Sequence, residues 1–272
     1  MTHGARLGDL GTVLRMRTAG SLSLDHCLRD RVRHRGGDPL VTYYAPSSGV
    51  RIELSARTFA NWVDKTANLI VDDLDVTEGD VAVLPLVTDH PGHWSSLVWI
   101  AALWQVGVLV RDPRQADGAP DLVVTGPEEY DDDFAGARAL AARATVACAL
   151  HPLGLGFPRP VAPGVVDYGA EVLSQPDVYV QAPASPGAPL WQAAGSSLDW
   201  AAVRGDAERL LADPSVGDVT YGRRLVRPGE AYATVLAALV APLLGDGSVV
   251  VVDGPVDEAA LAGIAAAERI TA

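Results

Sequence analysis

Apolar positions along this chain recur in two periods, one helical and one alternating, and they switch every ten to fifteen residues. Leu24, Cys27, Leu28 and Val32 fall at helical spacing and predict a helix over Leu24–Arg33. Leu40–Ala45 and Val50–Leu54 flank Pro46-Ser47-Ser48-Gly49, the pattern of a β-hairpin with a short turn. Ser55 is placed to cap an amphipathic helix carrying Phe59, Trp62, Val63, Thr66, Ile70 and Leu74 on one face. After a turn at Glu78-Gly79-Asp80, a buried-type strand is predicted over Val81–Val87 and a helix over Pro91–Val106, ended by Gly107. Further strands are predicted over Val108–Arg111, Leu122–Thr125 and Thr145–Leu150, with a helix from Glu128 to Ala142. Val178-Tyr179-Val180 gives the next strand signal, and Ser197 is placed to cap a helix reaching Leu211. Arg223–Val226, a helix over Glu230–Leu244, Ser248–Val252 and a helix over Asp257–Glu268 complete the pattern.

Strands separated by helices predict an α/β fold, a mostly parallel sheet with flanking helices. Residues 1–20 are expected to form a loose N-terminal segment and 21–272 a single α/β domain, with the Pro/Gly-rich stretch at 151–166 as its candidate internal break.

Composition narrows the function classes. With 272 residues, 49% of them hydrophobic, the chain can bury a sizeable core. Its net charge is −13, and the carboxylates are scattered apart from Asp72-Asp73 and Asp131-Asp132-Asp133. Without a basic stripe to release counterions, no nucleic acid is expected as a partner. No apolar run reaches membrane-spanning length, so no membrane is expected either and the expected location is cytoplasmic. Cys27 and Cys148 match no metal or redox spacing and are expected to be free buried thiols. Lys65 is the only lysine against twenty arginines, so lysine chemistry would have to use Lys65 or another chain.

The order of motifs resembles the N-terminal part of the adenylate-forming superfamily: acyl-CoA synthetases, peptide-synthetase adenylation domains and luciferases. Pro39-Leu40-Val41-Thr42-Tyr43-Tyr44 through Glu53-Leu54-Ser55 to Asn68-Leu69 is similar to that family's entry hairpin and helix. Val76-Thr77-Glu78-Gly79-Asp80-Val81-Ala82-Val83-Leu84 is similar to its G-V-x-x-G-D-x-V-A turn and strand, and Ala101–Val108 to its A-x-x-x-x-G-A stretch. Asp177-Val178-Tyr179-Val180-Gln181 resembles the strand before the family's phosphate loop, T-S-G-T-T-G-x-P-K-G. The resemblance then implies a vestigial phosphate loop at Ser185, Gly187, Pro189 and Leu190. Ala184 stands for a glycine, Leu190 for the lysine and Trp191 for the closing glycine, while Pro183 and Pro186 remove backbone donors. Such a loop is short of the donors and charge that phosphate needs. Glu268-Arg269-Ile270-Thr271 is similar to a helix-to-strand junction after which the family's adenine-binding half and catalytic lysine follow. Tyr221-Gly222 lacks the Thr-Glu of the family's Y-G-x-T-E motif and is expected to be an ordinary turn.

Other clusters carry less. Asp89-His90-Pro91-Gly92-His93 brings two imidazoles and a carboxylate together, but not at the spacing of a shared helical face; helix capping explains it better than a metal. Ser47-Ser48 and Ser196-Ser197 lack a nucleophile elbow. Asp131–Asp133 is expected to be a solvated face, and Trp94, Trp99 and Trp104 core or interface residues. No catalytic, metal or cofactor residue is therefore expected, and ATP or AMP is disfavoured. The sequence favours a non-catalytic, truncated relative acting in binding or assembly, as a homodimer or with a protein partner. The alternative is an AMP- or acyl-adenylate-binding protein, or an acyl-activating enzyme dependent on a partner.

Overall fold

The structure is a computed structural model that describes residues 23–113, 118–180, 182, 184–193, 195–212 and 222–270. Expectations for residues 1–20, Pro183, Tyr221 and Thr271 fall outside these residues.

Ser23 caps helix α1 (Leu24–Arg35), its hydroxyl accepting from His26 N. Strands β1 (Pro39–Ala45) and β2 (Val50–Ser55) form the expected antiparallel hairpin. Gly49 at φ +67 closes its turn, a backbone conformation that favours glycine. Ser55 caps α2 (Ala56–Asn68), which runs on through a π-helical stretch, Leu69–Asp73. Strand β3 (Val81–Val83) is shorter than its apolar run because Pro85 opens helix α3 (Pro85–Asp89). His93 then caps α4 (Trp94–Val106), and Gly107 in the left-handed region ends it.

Strands β4 (Leu109–Arg111), β5 (Leu122–Thr125) and β6 (Ala144–Ala147) follow as expected. The helix expected over 128–142 is broken: Asp133 and Phe134 both have positive φ, leaving only α5 (Ala135–Ala139) as α-helix. This break turns Phe134 inward, where it meets Phe157 edge-on at 5.6 Å. Strand β7 (Val165–Asp167) and α6 (Tyr168–Glu171) come next. The expected strand at Val178–Val180 does not form. The sheet instead takes β8 (Trp191–Ala193) and β9 (Ser196–Leu198). Ser197 thus lies in a strand, and Asp199 caps α7 (Trp200–Ala212) by accepting from Ala202 N at 2.9 Å. Strand β10 (Arg223–Val226) leads to α8 (Ala231–Val235), a π-helical stretch at Leu236–Val240 and α9 (Ala241–Leu244). Strand β11 (Ser248–Val252) and α10 (Glu258–Ala267) follow.

The strands build two sheets. One has the order β10-β11-β1-β2, parallel except for the β1–β2 hairpin; the other has β7-β6-β5-β3-β4-β8-β9, parallel except for β8–β9. This is the expected mostly parallel α/β architecture, divided between two sheets. Helix α2 contacts β1 and β2, α4 contacts β4, and the two helices pack on each other, so a helical layer joins the sheets. Every residue of α4 is buried, including Trp94, Trp99 and Trp104.

The charged groups that enter this layer are paired. Asp64 is buried; Arg29 Nη1 donates to it at 2.8 Å and Gln105 Nε2 at 3.1 Å. Buried Arg31 donates to Asp246 at 2.8 Å. Outside the first sheet, Glu268 accepts from Arg51 at 2.9 Å and Arg223 at 2.6 Å, tying the end of α10 to three strands. Burial works against ionising Glu268, but the hydrogen bonds from Arg51, Tyr44 and Arg223 outweigh it and lower its pKa to about 2. His93 is neutral: burial, with a smaller contribution from His90, lowers its pKa to about 3.

Asp64→Ala should cost about 2–3 kcal/mol in denaturant unfolding, at the low end for a broken buried pair because Arg29 keeps some water. Both Glu268 and His93 have folded pKa values below their unfolded ones, so their stabilisation is complete above the unfolded pKa and is lost as pH falls. The His93 contribution should fade from about pH 6.5 down to 3, and that of Glu268 from about 4.5 down to 2. His93→Asn, which keeps a capping acceptor, should flatten the loss of stability between pH 6.5 and 4 when unfolding is measured across that range.

Candidate functional site

In an open parallel sheet, ligands bind beyond the carboxyl ends of the strands, where loops diverge and backbone groups are unpaired. Here that edge carries a cavity of about 190 Å³. Leu84 enters it from the β3–α3 connection, Val87 and Thr88 from α3, and Val110, Arg111, Asp112 and Pro113 from the end of β4. Trp191 of β8 forms another wall, and Gly229, Glu230 and Ala231 close it from the start of α8. The cavity therefore lies between the carboxyl end of the second sheet and the start of α8.

Each lining group is fixed by its element. The Trp191 ring lies 5.2 Å from Tyr232 and meets Trp104 edge-on at 6.5 Å. Tyr232 in turn donates to Asp206 at 2.7 Å. Glu230 caps α8, accepting from Ala233 N at 2.9 Å. Arg111 is 8% exposed, and its Nη2 donates to Gly118 O at 3.1 Å. A cation, an indole and an aliphatic wall can hold a small ligand with an apolar part and a polar head. The sequence reading did not single out Arg111. Its signal was available: an arginine directly after Val108-Leu109-Val110 sits at the carboxyl end of a buried strand.

The residues expected to be a vestigial phosphate loop lie elsewhere. Ser185 N donates to Glu78 Oε1 at 3.0 Å, and Ala184 lies against Gly107, where an added Cβ would approach its Cβ to 3.0 Å. Glu78 and Gly107 precede β3 and β4, so this segment sits at the amino ends of the strands, opposite the cavity. Ala188 N donates to Ser185 O at 3.0 Å with Gly187 at φ +83, which makes Ser185–Ala188 a turn with Pro186 and Gly187 at its corners. Ser185, Gly187 and Pro189 are exposed, while Leu190 is buried, its carbonyl accepting from Val110 N at 3.0 Å and Trp104 Nε1 at 2.9 Å. The loop thus leads into a strand rather than out of one. The DVYVQ pattern misplaced it because only Tyr179 packs inward; Val178 and Val180 remain exposed.

Other sequence candidates separate. His93 Nδ1 accepts from Ser95 N at 3.2 Å inside the core, whereas His90 pairs with Glu128 toward the surface. Burial, then the charge of Glu128, raises the Asp89 carboxyl. No group of three or more metal-ligating side chains occurs among the described residues. Gly92, between the histidines, is required for space: a Cβ there would lie 2.2 Å from Pro228 Cγ. Lys65 holds the backbone of Leu173 and Gln175 and pairs with Asp177 at 3.0 Å, so the only lysine is engaged in tethering that segment. Cys27 and Cys148 are free and buried. Among the described residues no helix is long and apolar enough to cross a membrane.

No family model matches the chain. A TIGR03089 family protein of Mycobacterium tuberculosis is 32% identical over 146 residues, covering 52% of this chain and 56% of that protein. Brucella canis acyl-CoA synthetase superimposes with a TM-score of 0.69 at 15% identity, over 98% of this chain and 51% of that one. The N-terminal domain of FACL13 from Mycobacterium tuberculosis gives 0.63 at 13% identity, over 91% and 61%. ATP-bound MatB from Rhodopseudomonas palustris gives 0.64 at 14% identity, over 92% and 48%. The chain therefore spans about half to three fifths of the length of these proteins. Its fold is shared with the N-terminal domain of FACL13 and with the matching halves of Brucella canis acyl-CoA synthetase and MatB.

Proposed function

We propose that this chain is a non-catalytic, acyl-CoA-synthetase-like protein that acts in binding or assembly. The observation that carries this reading is the β8–β9 hairpin. Its pairing of Ala193 with Ser196 leaves two residues, 194 and 195, between the strand beside β4 and its return. A glycine-rich cradle with a lysine does not fit in a two-residue connection. The engagement of Lys65 with the 173–177 backbone supports the same reading. So does the cavity volume of about 190 Å³, below the roughly 300–1,000 Å³ typical of sites for drug-sized ligands. Assembly is supported by the sheet edges: β2 and β10 end one sheet, β7 and β9 the other. Such edges are ready templates for association with a second copy or another protein. Two free, buried thiols fit a reducing, cytoplasmic location.

A second reading, an AMP- or acyl-adenylate-binding protein or a partner-dependent acyl-activating enzyme, is favoured by one observation. Arg111 places a buried positive charge beside Trp191 at the carboxyl ends of the strands. ATP-bound MatB shares this fold, and the arginine could meet a carboxylate or phosphate.

Thermal unfolding with ATP, AMP and a non-hydrolysable acyl-adenylate analogue distinguishes the two. The first reading expects no rise in Tm at millimolar ligand; a saturable rise of several degrees, abolished in Arg111→Gln, would replace it with the second. For assembly, light scattering at about 100 μM should give at least the mass of a dimer for the purified chain. A clean monomer that also takes up no protein partner on co-purification would count against assembly.

A further inference from the structure

Strand β7 (Val165–Asp167) ends the second sheet, pairing in parallel with β6 on one side and with no other strand among the described residues. A groove of about 640 Å³ runs along it. The alternation of side chains across a strand fixes where this groove lies. Val165 packs into the cluster around Phe134 and Ala147, on one face of the sheet. Val166 packs on the opposite face, against the main core that contains Leu69 and Leu74. The groove is lined by Val161 and Val165 from the first face and by Val166, Leu69 and Leu74 from the second. A groove reached from both faces lies at the rim of the sheet, beside the open edge of β7.

The walls of this groove are acidic. Asp73, Asp167 and Glu171 line it, and no arginine, lysine or histidine does. Asp73 accepts from Gln175 Nε2 at 2.6 Å, and Asp167 from the N–H groups of Phe157 and Gly169 at 2.8 and 3.1 Å. All three donors are neutral, so these bonds orient the carboxylates without cancelling their charge. Asp73 and Glu171 are exposed, as is Asp72. Elsewhere in the fold the carboxylates of Asp64, Asp246 and Glu268 face guanidinium groups.

Within the binding-or-assembly reading, on which this step rests, we propose that β7 takes an extended segment of a partner protein as an added strand. That segment carries consecutive apolar residues next to lysine or arginine. An added strand supplies backbone partners to the open edge and turns successive side chains to opposite faces. One side chain then meets Leu69 and Leu74 and the next meets Val161, which is why the apolar residues are consecutive. The basic residues meet the uncancelled charges of Asp73, Asp167 and Glu171. A second copy is the poorer occupant, because it carries a net charge of −13. On its own edge strands β2 and β10, Arg51 and Arg223 are both bound to Glu53 and Glu268, and Arg224 is also engaged.

The probe is a random octapeptide library selected on the immobilised full chain, with the best binder remade as a labelled peptide. Selected sequences should carry two or more consecutive apolar residues beside Lys or Arg. Binding should weaken roughly tenfold in Asp73→Lys/Glu171→Lys, where both side chains are exposed, and should fall in high salt. On the unmodified chain, the peptide should slow hydrogen exchange within 165–167 and leave β2, β9 and β10 unchanged. Methylating the peptide's backbone nitrogens should abolish binding, since an added strand must donate hydrogen bonds. A library that yields no binder, a binder indifferent to the charge reversal, or protection at another edge overturns the proposal. Self-association that the same charge reversal dissolves overturns it in favour of a second copy. A nucleotide-induced rise in Tm would replace the binding-or-assembly reading without touching exchange at β7, whereas an empty library removes this edge alone.

Discussion

The buried helix Trp94–Val106 is the constraint on which the rest of this structure depends. A helix that is apolar on every face cannot lie on a surface; it must be enclosed by other elements. Here α2 covers one side and β4 another, and α2 in turn rests on β1 and β2. The two sheets are thereby joined through helices, and the gap left between the carboxyl end of the second sheet and the start of α8 becomes the cavity. Three tryptophans in this helix raise the cost of any rearrangement, because each must be enclosed by neighbours of matching shape.

Polar side chains fix how this apolar layer is oriented. Asp64 joins α1 to α2 and α4 through Arg29 and Gln105, and Arg31 ties α1 to the turn before β11 through Asp246. Glu268 gathers Arg51 and Arg223 at the far side of the first sheet. Each carboxylate is matched by a guanidinium that can donate two bonds in a plane, which explains the use of arginine in buried positions. Lysine is used once, where a flexible ammonium gathers the carbonyls of an irregular segment.

Much of the fold was legible, for reasons tied to particular residues. Ser55 and Gly107 are local signals that mark helix ends regardless of context, and the hairpin at 39–55 is decided by its turn. The candidate site was less legible. Arg111 and Glu230 are 119 positions apart and become neighbours only when both sheets are in place. The loop at 182–190 was misplaced because sequence similarity to a strand and glycine-proline loop carries no direction. Its position at the amino ends of β3 and β4 follows from Leu190, whose carbonyl is captured by Val110 and Trp104.

By itself the sequence determined the alternation of helices and strands, the apolar faces and the mostly parallel architecture, because periodicity and caps are local properties of the backbone. It also determined the acidic charge and the scarcity of lysine. Tertiary structure alone decided that Trp191–Ala193, and not the expected strand at Val178–Val180, entered the sheet. Trp191 could be enclosed between Trp104 and Tyr232, whereas Val178 and Val180 found no facing layer. Burial is a property of the whole assembly, and that choice put the proline-rich loop at one end of the sheet and the cavity at the other.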